Sequence, residues 1–477
     1  MNGFYQIFKR DKKTGRKSEL VERYTSMTIN LNWGEVGKFT LKGETVDTIE
    51  LELGDYILVY RNYEQIFAGV VTNLSISCSD TMTNFKKWTA TGKEDSIIFS
   101  YRVTVPDPTD LTFHNDYSDT CDDFGYTRIL HYIRRNLGDE SNILEITEQE
   151  GGDPIIKVVT KRELDGLVIP GERSLGNKDI SSYRYKTLNT ALKEIGQEVN
   201  SETGEEWGLY PIYVWDSETG EKRIEISELR DRTKDVYISP EFGNVTSWTK
   251  TSAFPKYNAV WVVSGSWDDE ENAEERINPD TGEKEKVVPT KRIYVHLEDA
   301  KSVEKYGRIE KVETKSDIKV VKDKNKDKQS AENGGDNTSA DTNNDDNEND
   351  ENGENGDGEE EEESKEVTEE QVIRLLKKEA KKLLKDNAET AKYKITMIET
   401  PELQYWDNWK CGDLVACEIN GEKFNAIIKS VEISYEKGQE KVKPTVGEVE
   451  QGEFSELFHA LSGMESRLTT EELKWQQ

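Results

Sequence analysis

The sequence predicts a mainly β protein with α+β insertions, built on two copies of one β domain. Two widely separated stretches echo each other: Leu53 to Ser77 reads LGDYILVYRNYEQIFAGVVTNLSIS, and Cys411 to Ser434 reads CGDLVACEINGEKFNAIIKSVEIS. Around them run short alternating apolar segments with regular turn signals, the mark of a barrel or sandwich. Large buried side chains are in good supply, with 10 Trp, 20 Tyr and 13 Phe, which argues against a wholly disordered chain. At 477 residues the chain exceeds one core, so several domains are expected.

Each echo reads as a β-hairpin. Gly54-Asp55 and Gly412-Asp413 turn the chain, β-branched residues fill a half-buried strand, and a polar tip reverses it. The apolar Phe67 and Phe424 follow the tips, thirteen residues after Gly54 and twelve after Gly412. Gly54, Asp55, Phe67, Gly412, Asp413 and Phe424 are therefore the structural turn and packing residues of a repeated hairpin.

Residues 1–105 read as β throughout and form the first β domain, with 207–245 as its candidate completion. The texture changes at Pro106-Asp107-Pro108, and 106–206 reads as an α+β insertion. Within it, 124–138 places Ile129, Leu130, Ile133 and Leu137 at helical spacing and ends in Gly138, while 187–200 places Leu188, Leu192, Ile195 and Val199 on one face. Between these, ILEITEQEGGDPIIKVVT reads as strand, turn, strand. Residues 246–300 and 392–450 form the second β domain.

Residues 322–366 form an acidic insertion whose composition predicts disorder, because it buries too little apolar surface to offset its ordering entropy. From Ala331 to Glu366 there are sixteen carboxylates and one Lys, nearly half of the chain's net charge of −32. A helix is expected over 367–387, with Thr368 and Gln371 as a capping box, and a helical tail over 451–477.

The search for chemistry predicts no catalytic, cofactor-binding or metal site. His114, His131, His296 and His459 are scattered, with no HExxH pair, phosphate-cradling glycine loop or GxSxG elbow. The run Asp345, Asn347, Asn349 resembles a calcium loop only superficially, with Asp350 where glycine should stand. Tyr405, Trp406 and Trp409 read as core. The four cysteines lack CxxC spacing and read as reduced thiols. No apolar run suits stable membrane insertion, and the N-terminus reads as a strand and charged turn rather than an export signal.

The order of parts resembles the siphophage tail hub, or tail-associated baseplate hub, family of the ReqiPepy type. The residues behind this are YTSMTINLNWGEVGKFTL, the two Gly-Asp hairpins and SWTKTSAFPKYNAVWVVSGS. The resemblance implies two tail-tube-like β-barrels per chain and a homotrimer forming a pseudo-sixfold ring at the tail tip. It implies contact with the distal tail protein ring, the C-terminus of the tape measure protein, and tail fibre or receptor-binding proteins. DNA would pass only in transit, and an acidic wall suits that passage by not retaining phosphate. Assembly in the host bacterial cytoplasm goes with this reading. The competing classes are a tail-associated peptidoglycan hydrolase, with its residues in 106–206, and a cell-surface carbohydrate-binding β protein.

Overall fold

The computed structural model describes residues 4–80, 84–106, 118–149, 152–198, 207–277, 284–320 and 367–447. The acidic insertion 322–366, the tail 451–477, His114 and His459 lie outside the described residues.

The alternating segments pair into one 14-stranded sheet that contains a five-strand unit twice. The first unit is Ser26–Asn32, Glu35–Thr45, Tyr56–Arg61, Glu64–Asp80 and Phe85–Glu94; the second is Val245–Ala253, Thr390–Met397, Asp413–Ile419, Glu422–Glu436 and Gln439–Gly447. In each unit the first strand pairs with the second, the second with the fifth, the fifth with the fourth and the fourth with the third. The apolar alternation decides which face is inward. Met27, Ile29, Phe39, Leu41, Trp88, Ile395, Val431 and Ile433 share one core that spans both units.

The two barrels expected from the resemblance are not closed barrels. The units fuse side by side instead, because Ser430–Glu436 pairs antiparallel with Ser26–Asn32 of the other unit. A strand as long as Glu422–Glu436 outruns its hairpin partner Asp413–Ile419, and the surplus half needs a neighbour to satisfy its backbone.

Other boundaries also move. Tyr210–Trp215 and Lys222–Ser227 do not complete the first unit; they join Leu167–Val168 in a three-stranded sheet. Arg230–Asp231 and Tyr237–Ile238 pair with Asp413–Ile419, so they serve the second unit. Among the described residues of 246–300, only those up to Ala253 belong to the repeat. Ala259–Ser264 lies between Tyr294–Glu298 and Glu310–Lys315 in a separate sheet. The stretch after Glu94, expected as strand, forms a 3-10 turn at Asp95–Tyr101, where the buried Asp95 meets Arg10 and Phe99 enters a second core.

That second core is built on helix α1 (Gly125–Leu137) and helix α2 (Leu188–Gly196), through Ile129, Leu130, Ile133, Leu188, Leu192 and Ile195. Helix α1 ends where predicted, the Gly138 N–H donating to Ile133 and Arg134 carbonyls. A short helix α3 (Ala300–Tyr306), capped by Asp299, has too few apolar residues to show in the periodicity. Helix α4 (Glu369–Asp386) carries the expected capping box and buries Val372, Leu376 and Ala380 against Val260 and Val262. Its other side is bound to the α1/α2 lobe by Arg374 to Asp122 (3.0 Å), Lys378 to Glu198 (2.8 Å) and Lys382 to Glu194 (2.7 Å).

Candidate functional site

The two hairpins coincide in detail. Gly54 and Gly412 have φ of +79° and +92°, conformations that glycine adopts without strain. The Gly54 N–H donates to the Val71 carbonyl and the Gly412 N–H to the Ile428 carbonyl, each at 2.9 Å. Asp55 accepts from the Glu52 N–H at 2.9 Å, and Asp413 accepts from the Lys410 N–H at 2.8 Å. Each aspartate also meets cations: Lys9 and Lys12 lie 3.4 and 3.0 Å from Asp55, while Arg230 grips Asp413 with two 2.7 Å bonds. Burial would raise the Asp55 carboxyl, but Lys12 and the Glu52 N–H outweigh it and hold the pKa below the ordinary value.

Both tips have two consecutive residues at positive φ, Asn62-Tyr63 and Asn420-Gly421, as a type I′ turn requires. Phe67 pairs with Val59 and Phe424 with Cys417, equivalent positions counted from the two glycines. The ladder of the first hairpin skips Ile66 between Phe67 and Gln65. This bulge is the one extra residue in the Gly54-to-Phe67 spacing. Phe67 is buried edge-on to Phe39 at 5.7 Å, while Phe424 is half-buried and stacks on Tyr393 at 4.7 Å. A second bulge recurs at matching places, with Thr72 skipped in one ladder and Lys429 in the other.

The matched units differ in what lies along their edges. In the second unit the outer half of the long strand is covered, Ser430–Glu436 pairing with Ser26–Asn32. In the first unit the outer edge after Val71 has no strand against it among the described residues. The mate of Ser26–Asn32, the strand Val245–Ala253, ends the sheet, with a neighbour on one side only among the described residues. Both open edges expose a large apolar residue, Ile76 (52%) and Trp248 (40%). Sequence reading located the hairpins but not these edges, because alternation reports the face of a strand and not its neighbour.

The ionisable groups with large shifts serve packing. Burial pushes the Cys417 thiol up to about 12 and raises the Cys411 thiol as well, so neither is a thiolate nucleophile near neutral pH. His131 sits 2.8 Å from Asp119 and edge-on to Tyr132, a packed position. Tyr405 and Trp409 are buried, in keeping with their reading as core, and Trp406 is half-buried against it. Among the described residues no cluster of His, Cys, Asp or Glu is arranged to hold a metal, and no helix is long and apolar enough to cross a membrane.

The pattern of a repeated β unit with inserted lobes meets a family model described as siphovirus ReqiPepy6 Gp37-like protein, which matches residues 6–448. The chain belongs to that family. The Gp37-like chain is similar to several solved tail proteins. One is the 43 kDa tail protein of prophage MuSo2 from Shewanella oneidensis, with 11% identity, 93% of this chain and 98% of that one covered, and a TM-score of 0.45. A tail protein from Neisseria meningitidis has 10% identity, covering 93% and 96%, with a TM-score of 0.44. Prophage tail protein gp18 from Listeria monocytogenes has 11% identity, covering 96% and 99%, with a TM-score of 0.41. No curated protein matches the chain in sequence. The three neighbours are each described as a tail protein.

Proposed function

We propose that this Gp37-like protein is a non-enzymatic hub at the tip of a phage tail, assembled as a homotrimeric ring around a channel. The observation that carries the reading is the pair of open edges. The chain already contains the joint that would close them: Ser430–Glu436 of one unit on Ser26–Asn32 of the other. Repeating that joint between copies sets the outer edge of Asn73–Ser77 against Val245–Ala253 of a second copy. The register follows from the repeat. Ile433 faces Ile29 within the chain, and their mates by position are Ile76 and Trp248, so these two exposed side chains meet across the new joint.

Eight strands run from Val245–Ala253 to Glu64–Asp80. Three copies would therefore close 24 strands into a wall whose backbone diameter is roughly 40–50 Å. That leaves room for a nucleic-acid duplex, whereas two copies would not. The distal tail ring, the tape measure C-terminus and fibre or receptor-binding proteins are the partners this position entails, with DNA in transit and assembly in the host cytoplasm. The hydrolase and carbohydrate-binding alternatives gain no support from the geometry, since the concentrated polar groups are tied into structural ion pairs such as Arg10–Asp95 and Arg61–Glu440.

The test is a cross-link in full-length protein carrying Cys78→Ser, Ile76→Cys and Trp248→Cys. Directly opposed positions lie within disulfide range. Oxidation should give a covalent ladder ending at three copies, with light scattering reporting the same mass. Absence of any species above the single-cysteine controls would overturn the ring.

A further inference from the structure

Helix α4 carries two stripes of opposite character. Val372, Leu376 and Ala380 recur every fourth residue and pack with Val260 and Val262 in the core of the small sheet. Arg374, Lys378 and Lys382 recur at the same spacing two residues on, which turns them about 200° away around the helix. Each of the three meets a carboxylate of the α1/α2 lobe: Arg374 donates to Asp122 at 3.0 Å, Lys378 to Glu198 at 2.8 Å and Lys382 to Glu194 at 2.7 Å. Lys378 also donates to the Ile180 carbonyl at 2.9 Å and lies 3.4 Å from Asp179. Among the described residues the core under α4 and the core of the lobe have no side chain in common. The small sheet and α4 form one packed module, and charge joins that module to the lobe.

The covalent attachment of the module is narrow. It is inserted between Val245–Ala253 and Thr390–Met397, whose pairing ends at Ala253 opposite Thr390. Past that pair the two chains stay together through the Lys256 N–H, which donates to the Asn387 carbonyl at 2.9 Å. The lobe carboxylates also have other company. Glu198 takes two bonds from Arg128, at 2.8 and 2.6 Å, and Glu194 two from Lys186, at 2.8 and 2.7 Å. The Asp122 and Asp179 side chains are 32% and 34% exposed. Separation would leave each of these four either paired inside the lobe or in water. It would strand no buried charge, which is what makes breaking an ion pair costly.

We propose that this interface is a releasable clasp: the small sheet and α4 swing together on their two-strand neck, away from the α1/α2 lobe and back, without unfolding. Partly exposed ion pairs are individually weak and are screened by salt, whereas the apolar stripe on the other side of α4 is not. Three such rungs hold the module closed with an open population on the order of a few per cent. The position of the module then answers to charge, and whatever screens or competes for these pairs releases it. The clasp stands in a single chain and does not depend on the ring.

The test is the distance between spin labels in full-length protein carrying Cys78→Ser and Cys121→Ser, with Ser174→Cys on the lobe and Lys381→Cys on the exposed side of α4. Labelled chains are diluted with unlabelled ones, so that each distance lies within one chain. The parent should give one main distance and a minor longer component, which should grow about tenfold at about 1 M salt. Arg374→Gln with Lys378→Gln and Lys382→Gln should move most of the distribution to the longer distance. Lys377→Gln with Lys385→Gln, exposed charges of α4 outside the stripe, should leave it as in the parent. Arg374→Asp alone should enlarge the longer component, and adding Asp122→Arg should restore the short one. Amide exchange of α4 should stay slow throughout. A single distance that neither salt nor the triple variant moves would overturn the proposal, as would a reversed pair that fails to restore the short distance. Loss of amide protection in α4 together with the longer distance would also overturn it, because the pairs would then be folding the helix rather than holding a folded module.

Discussion

Replacing Gly412 with alanine should destabilise the protein clearly more than replacing Gly54, although the two glycines hold the same turn. Both sit at positive φ, where a Cβ costs about 1–2 kcal/mol. The surroundings differ. A Cβ at Gly54 meets nothing within 4 Å, whereas one at Gly412 falls 2.2 Å from Trp33 Cε3 and 2.4 Å from Cζ3. The indole is held in place, with its backbone N–H donating to the Lys429 carbonyl at 2.8 Å and its ring edge-on to Tyr210 at 5.2 Å. Overpacking of that kind adds about 1–3 kcal/mol. Gly54→Ala should therefore cost about 1–2 kcal/mol and Gly412→Ala about 2–5 kcal/mol. Urea midpoints at unchanged slope measure both. In a Trp33→Ala background the surplus should vanish and the two glycine substitutions should cost the same. Equal costs in the parent protein, or a surplus that survives removal of Trp33, would refute the argument.

Three further outcomes follow from charge and capping. Glu94, half-buried with its carboxylate accepting from the Gly37 N–H at 2.9 Å, is pushed up to about 7 by burial. A raised carboxyl favours folding below its ordinary value and loses that contribution as pH rises towards 7. Glu94→Gln should flatten this decline and be more stable than the parent above pH 7, by about 1–3 kcal/mol in urea titrations. Glu194 has the opposite sign: burial would raise it, but Lys186 and Lys382 outweigh burial and hold it at about 2. Its contribution is present above the ordinary carboxyl value and fades as pH falls towards 2. Lys382→Gln should weaken the α4 contact by about 1 kcal/mol at neutral pH, an effect that shrinks in acid and in high salt. Thr368→Ala removes the α4 capping box and should cost about 1 kcal/mol, read as faster amide exchange in the first turn of α4.

Much of the local structure was legible because it is written in short-range chemistry. The Gly-Asp turns, the Asn-led hairpin tips, Gly138 after α1 and Thr368 before α4 each have a residue type whose physics allows little else there. The expectations that moved were those depending on partners distant in sequence. Asp95 looks like strand continuation until Arg10, 85 positions away, is found against it. The strands of 207–245 have the same alternation whichever sheet they join. Closure of the barrels failed for the same reason, since nothing in EKFNAIIKSVEISYE says that its second half will choose Ser26–Asn32.

The repeat resolves part of that ambiguity, because it supplies an internal control that a single copy lacks. Two units with the same turns, the same second bulge and the same strand order should have the same needs along their edges. Among the described residues, one long strand has its outer half paired and its mate does not; one first strand has a neighbour on each side and its mate has one. A local accident of sequence is enough to explain an isolated open edge, but two complementary open edges with apolar residues in matching register share one explanation. Exposed edges of this length invite uncontrolled pairing unless a specific partner covers them. Charge or proline would blunt them, yet Asn73–Ser77 and Val245–Ala253 contain one lysine and no proline. Among the described residues these edges are open, and on the proposed ring the joint already made between the chain's two units would specify how they pair.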